Sequence, residues 1–272
     1  MNSHVLRPSA YVIAPTNHGT MIVNRFDYRE TEQGSYGVGH QLLNTQTFDS
    51  QEVNAVLELL SLRRQFFGDG VMALDLGANI GVHTIEWAKH MFGWGHIISV
   101  EAQQRIYYAL AGNIAINNCF NAQAIWAAVG KAEGRIKFPE PNYFLPSSFG
   151  SFEITQRKEA ENIGQKIDWS EENLSIVDLI TIDGLKLDRI DLIKLDVEGM
   201  EEVALEGAFN SIRKCEPIIV LEHIKSDKKK IVNRMTSLGY RVFDFGLNFL
   251  LVHDNDPTLA QINGAEVSLS NL

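Results

Sequence analysis

The sequence predicts an α/β fold, a three-layer sandwich in which helices cover both faces of a mostly parallel sheet. Three observations predict it. From residue 71 onward, short apolar runs alternate with helix-length segments, and strands joined by helical crossovers lie parallel in one sheet. Near the end, residues 240–246 and 248–254 flank Gly246-Leu247-Asn248, the pattern of a closing hairpin that adds one antiparallel strand, expected at an edge. The composition is that of a folded chain, 272 residues with 45% apolar and 21% charged.

Each element follows from local pattern. Residues 18–30 and 31–44 are polar and punctuated by glycine, fit for short strands or a hairpin. Residues 48–67 read as a helix: Asp49 or Ser50 caps it, Glu52 lies in the first turn, and Val53, Val56, Leu57 and Leu60 repeat at helical spacing until Gly68-Asp69-Gly70 ends it. The apolar run 71–77 is a strand buried on both faces, 81–93 a helix, 96–102 a second strand, 104–118 a helix and 121–130 a third strand. The rhythm breaks at 131–189. Pro139, Pro141 and Pro146 make 131–154 a loop or irregular strand, and 155–173 is a charged, solvated stretch. Alternation resumes with a strand at 190–199, a helix at 200–214, a strand at 217–223 and a helix at 225–239. The chain thus divides into an N-terminal arm (1–69, a cap that helps bind an acceptor), a main unit (70–253, with 131–189 as an insertion or lid) and a polar tail (254–272).

Composition narrows the function. Lys and Arg number 24 against 34 Asp and Glu, a net charge of −10, which argues against a nucleic-acid partner. The cluster Lys225, Lys228-Lys229-Lys230 reads as a solvated helix face. No run approaches the roughly 20 apolar residues of a membrane helix. Residues 1–19 lack the apolar run of a signal peptide, so a cytoplasmic setting is expected. Cys119 and Cys215 stand far from any CxxC spacing, which excludes a disulfide scaffold or a cysteine zinc site. Homo-oligomerisation stays open.

In open parallel sheets ligands bind beyond the carboxyl ends of the strands. The first strand ends in Asp75-Leu-Gly77-Ala78-Asn79-Ile-Gly81. Gly77 allows a sharp turn and close approach of a ligand to the backbone, and Gly81 allows the next helix to pack tightly. A dinucleotide loop places glycine where Asn79 stands, and Asp75 would repel a pyrophosphate. A carboxylate there suits a ligand with a positive amino group, such as S-adenosylmethionine. Glu101, at the end of the second strand, is placed to accept both ribose hydroxyls of an adenosine.

These segments, with Ser99-Val-Glu101-Ala, Ala128-Val-Gly, Ile190-Asp-Leu-Ile-Lys-Leu-Asp-Val-Glu-Gly199 and Pro217-Ile-Ile-Val-Leu-Glu222-His223, resemble the FkbM family of S-adenosylmethionine-dependent methyltransferases over roughly residues 70–253. The resemblance implies a class I methyltransferase (Rossmann-like) fold with a seven-stranded sheet whose last strand is antiparallel. It also implies methyl transfer, usually to a hydroxyl of a small molecule or sugar. By position it assigns Asp75, Gly77, Ala78, Asn79 and Gly81 to the methionine-binding loop, Glu101 to the ribose and Ala128 to the adenine.

At the reacting end, alternation sets Lys194, Asp196 and Glu198 on one face of the fourth strand, with Lys194 and Asp196 able to pair. Transfer to an alcohol needs a proton acceptor, and Asp196, Glu198 and His223 are the candidates, with Lys194 beside them. Asp196, Glu198, Glu222 and His223 are compatible with a divalent cation, which the sequence does not by itself predict. His83 faces the ligand or fills space, Tyr28, Tyr36 and His40 are arm residues within range of an acceptor, and residues 139–152 form a lid or a surface loop. The competing readings are a nucleotide (NAD(P))-binding oxidoreductase and a non-catalytic adenosyl-ligand-binding protein.

Overall fold

A computed structural model describes residues 8–32, 34–157 and 160–267; parts of the arm (1–7) and of the tail (268–272) lie outside the described residues. The arm opens with a hairpin of β1 (Tyr11–Thr16) and β2 (Gly19–Asn24), followed by a short pair, β3 (Arg29–Thr31) and β4 (Gly34–Tyr36). Two helices follow, α1 (Val38–Thr45) and α2 (Ser50–Phe67). The main sheet begins with β5 (Val71–Leu76), α3 (Val82–His90), β6 (Gly95–Glu101), α4 (Gln104–Ile116) and β7 (Ala122–Trp126). The insertion contributes β8 (Ala128–Val129), β9 (Gly134–Pro139) and β10 (Leu174–Ile180). The chain then returns through β11 (Leu192–Leu195), α5 (Glu201–Glu206), α6 (Phe209–Cys215), β12 (Ile218–Glu222), α7 (Lys228–Ser237), β13 (Tyr240–Phe245) and β14 (Asn248–His253).

The seven-stranded sheet runs β13-β14-β12-β11-β5-β6-β7, all parallel except β14. The last strand is therefore antiparallel, as expected, but it is not at the edge. It inserts between β12 and β13, and the reason is in its side chains: Phe249, Leu250, Leu251 and Val252 are all buried, whereas β13 exposes Arg241 and Asp244 and tolerates the edge.

Strand parity sorts the core into two layers. Val71 and Ala73 of β5, Leu192 of β11 and Val220 of β12 pack with α2, α3 and α4, through Val53, Val56, Leu60, Ile85, Trp87 and Ala109. Leu74, Leu76, Ile193, Leu195, Ile219 and Leu221 pack on the other face with α5, α6 and α7. Helix α2 thus shares one core with the sheet. No helix among the described residues is long and apolar enough to cross a membrane.

Four boundaries differ from the sequence reading. The third strand splits: β7 ends at Trp126, and Ala128–Val129 pairs instead with β10 in a separate three-stranded sheet with β9, giving the insertion regular structure of its own. The fourth strand stops at Leu195, so Asp196 and Glu198 lie in the turn beyond it. The single helix expected at 200–214 is two, because Gly207 passes so close to Gly130 that a Cβ there would sit 2.1 Å from its carbonyl oxygen. The described part of the tail is docked: Asp256 and Thr258 are buried, and Glu266 bridges to Phe243.

Candidate active site

The carboxyl ends of β5, β6, β11 and β12 open into a cavity of about 620 Å³. Asp75, Gly77, Ala78, Asn79, Glu101, Ala128, Lys194, Asp196 and Glu198 all line it; Gly81 and His223 do not.

The glycine loop is built more by the protein than by space left for a ligand. Gly77 (φ +80°) is required because a Cβ would stand 1.7 Å from the Asp196 carbonyl oxygen, so the two strand-end turns pass in contact. Gly81 (φ +90°) serves packing, with a Cβ only 2.6 Å from Leu110. The amides of residues 77–81 are all engaged: Gly77 and Ala78 donate to the Val100 carbonyl, Asn79 to Glu101 Oε2, Ile80 to the Asn79 side chain and Gly81 to the Ala78 carbonyl. The loop therefore offers no ring of free amides to a pyrophosphate. It offers negative charge instead. Asp75 is buried; its Oδ2 accepts from Thr84 Oγ1 at 2.6 Å, while its Oδ1 has no partner. A buried, half-satisfied carboxylate in a cavity wall fits a cationic group such as an amino group or a sulfonium.

Glu101 is 6% exposed and holds both oxygens in place, Oε1 by the Gln103 amide (2.7 Å) and Oε2 by the Asn79 amide (3.1 Å). Each oxygen keeps a further lone pair for a hydroxyl donor. Burial, only partly countered by these amides, raises its pKa to about 7. Ala128 sits in β8, and the Trp126 indole donates to the Ala102 carbonyl rather than stacking in the cavity. Gln103 ties the 139–152 segment to this end, donating to the Phe149 carbonyl and accepting from Tyr143 Oη.

At the other end three acids converge. Lys194 Nζ donates to Asp196 Oδ2 at 2.8 Å, and Lys194 stands opposite Asp75 in the parallel ladder. Burial opposes its charge, but Asp196, Glu52 and Asp75 outweigh burial and hold it firmly protonated. Glu198, in a left-handed conformation (φ +54°), pairs with Lys225 Nζ, which also reaches Glu161 (3.1 Å) and the Ser151 carbonyl (2.9 Å). Burial and the neighbouring Asp196 push the Glu198 carboxyl well above its ordinary range and Glu222 up to about 8. Glu222 Oε2 has no partner. Asp196, Glu198 and Glu222 offer oxygens within 4.8 Å of one another, a donor set suited to a hard divalent cation.

His223 is not among them. Parity turns it to the opposite face of β12, where its ring packs 4.2 Å from Phe249. The same parity brings in Glu222. Of the arm residues, Tyr36 lines the cavity and Tyr28 and His40 do not. The sequence reading also missed Glu52 as a cavity residue: it faces His83 Nε2 at 3.2 Å and accepts from Asn248 Nδ2 at 2.9 Å. Its place on the buried side of the Val53/Val56/Leu60 stripe was the available signal.

A model of the methyltransferase FkbM domain matches residues 75–242. Among solved structures, the chain is similar to methyltransferase FkbM from Methylobacillus flagellatus KT, at 17% identity over 71% of this chain and 48% of that one, with a TM-score of 0.48. It is also similar to precorrin-6y C5,15-methyltransferase from Geobacter metallireducens GS-15, at 16% identity over 75% and 88% of the two chains, with a TM-score of 0.41. A SAM-dependent methyltransferase from Aquifex aeolicus is 13% identical over 76% and 97%, with a TM-score of 0.37. The chain thus spans about half the length of the Methylobacillus protein. No curated protein matches the chain.

Proposed function

Because the chain belongs to the FkbM methyltransferase family, we propose that it transfers methyl from S-adenosylmethionine and that its acceptor is a hydroxyl on a small molecule or a carbohydrate. The observation that carries this reading is one cavity in which the Asp75 loop and Glu101 stand beside the carboxylates of Asp196, Glu198 and Glu222. An alcohol must lose its proton as its oxygen is alkylated, and neighbouring carboxylates are suited to take it, Glu198 and Glu222 having raised pKa values.

The cofactor supplies an electrophilic methyl group on a positively charged sulfur. Toward it, Glu101 accepts the ribose hydroxyls, Ala128 lines the adenine, and Asp75 with Gly77, Ala78 and Asn79 shapes the methionyl end, Gly81 holding the loop from behind. Toward the acceptor, Asp196, Glu198 and Glu222 form one proton-accepting set. Lys194 holds Asp196 in place through its hydrogen bond. A divalent cation at the same three carboxylates would lower the acceptor's pKa in their stead.

The arm (1–69) acts as a cap on the acceptor side and 70–253 as the transfer unit; Tyr36 and Gln41 from the arm, and Ser148, Gly150 and Ser151 from the 131–189 lid, support this by lining the cavity. The described part of the tail, up to Val267, packs against the edge strand β13. A setting in the cytoplasm belongs to the same reading. Transfer of labelled methyl from S-adenosylmethionine into fractionated metabolite and glycan pools tests it. Label in an alkali-stable ether of a hydroxylated product is expected; label confined to amines would overturn the hydroxyl assignment.

A further inference from the structure

We propose that Glu52 and His83 complete the subsite for the amino-acid end of the cofactor, so that α2, outside the span of the family match, belongs to cofactor binding as well as to the cap. This rests on the assignment of the cavity to S-adenosylmethionine. His83 is 5% exposed and lines the cavity; its Nδ1 has no partner, and its Nε2 has only the Glu52 carboxylate, 3.2 Å away. A histidine buried this deeply with a ring nitrogen unpaired is costly unless a ligand supplies what is missing.

The surroundings specify that ligand's chemistry. Parity sets Asp75 and Lys194 on the sheet face that packs against α2 and α3, where they are ladder partners. His83 and Thr84 are consecutive in the first turn of α3, and Thr84 clamps Asp75 Oδ2. Glu52 approaches from α2, its one oxygen 3.2 Å from His83 Nε2 and the other held by the buried Asn248. Burial works against its charge, but the contact with His83, the charge of Lys194 and the hydrogen bond from Asn248 together lower the Glu52 carboxyl to about 2. The group therefore presents two signs of charge close together: carboxylates at Asp75 and Glu52, and a lysine and an imidazole at Lys194 and His83. A zwitterionic α-amino acid is the complement. Its ammonium meets the free Asp75 Oδ1. Its carboxylate meets Lys194 and His83, with Glu52 holding the imidazole as a donor toward it.

The test compares two product-like ligands by calorimetry. S-adenosylhomocysteine carries the amino-acid end; 5′-methylthioadenosine keeps the adenosine and lacks it. Glu52→Gln and His83→Gln should each weaken S-adenosylhomocysteine by about tenfold or more, the size of a lost hydrogen bond to a charged group. Methylthioadenosine affinity should not change, which also shows that the variants fold. Equal weakening of both ligands, or of neither, would overturn the proposal. Binding of neither ligand to the unaltered protein would instead bring down the cofactor assignment beneath it.

Discussion

Glu101 sets the pH response of the site. With its pKa raised to about 7 by burial, the free protein carries a mixture of acid and carboxylate at neutral pH. Only the carboxylate can accept two amides and two hydroxyls together, so binding favours the ionised form. Affinity for S-adenosylhomocysteine should rise as pH goes from 6 to 8, and Glu101→Gln should both weaken binding and flatten that rise. A slope retained in the variant would remove Glu101 from the ribose. Gly77 offers a second test. Any side chain there meets the Asp196 carbonyl, so Gly77→Ala should displace the turn that carries Asp196 and cut methyl transfer more than it cuts stability. Both residues were legible in the sequence, because glycine and acid at strand ends have few other reasons to be there. His223 misled for a definite reason. Alternation applied to 194, 196 and 198 was not carried across to β12, where it selects Glu222; a histidine's suitable pKa was given weight before its direction.

At the scale of elements, strands and helices of the sheet were legible because each repeats one periodicity over its length. What the pattern could not give was order. Two antiparallel runs in a hairpin look alike from sequence, and the continuous burial of Phe249, Leu250, Leu251 and Val252 decides which is interior only when weighed against Arg241 and Asp244 in the partner. The insertion was less legible still, since β9 and β10 pair across thirty-odd intervening residues that show no regular periodicity. Beside the cavity it is held in part by Lys225, whose ammonium joins Glu198 and Glu161 and binds the Ser151 carbonyl. Lys225→Met should keep the packing of the stem but release the segment. Hydrogen exchange at residues 147–157 should quicken by roughly tenfold, while exchange in β5 and β11 stays unchanged. Unaltered exchange there would show that Gln103, Tyr143 and Asp27 suffice to hold the lid.

For the molecule as a whole, stability and binding should respond to pH with opposite sign. Six carboxyls among the described residues, Asp27, Asp49, Glu101, Glu198, Glu201 and Glu222, have folded-state pKa values above their ordinary ones. Asp27, which accepts from the Gly39 and Phe149 amides, stands at about 6, Glu101 at about 7 and Glu222 at about 8, each raised first by burial. An acid raised on folding binds more protons in the native state, so its contribution is fully present below the unfolded pKa near 4 and is lost as pH rises through the folded value. Glu52, lowered to about 2, does not vary in this window. The ligand-free protein should therefore melt at progressively lower temperature as pH rises from about 5 to about 8.5. Saturating S-adenosylhomocysteine adds stability in proportion to the logarithm of its affinity. That affinity climbs through the ionisation of Glu101, so the gain in melting temperature on adding ligand should be larger at pH 8 than at pH 6. Melting curves at four pH values, with and without ligand, check both slopes at once. A ligand-induced gain that shrinks with pH would mean that the site prefers Glu101 protonated, and the hydroxyl-accepting role would have to pass to another group.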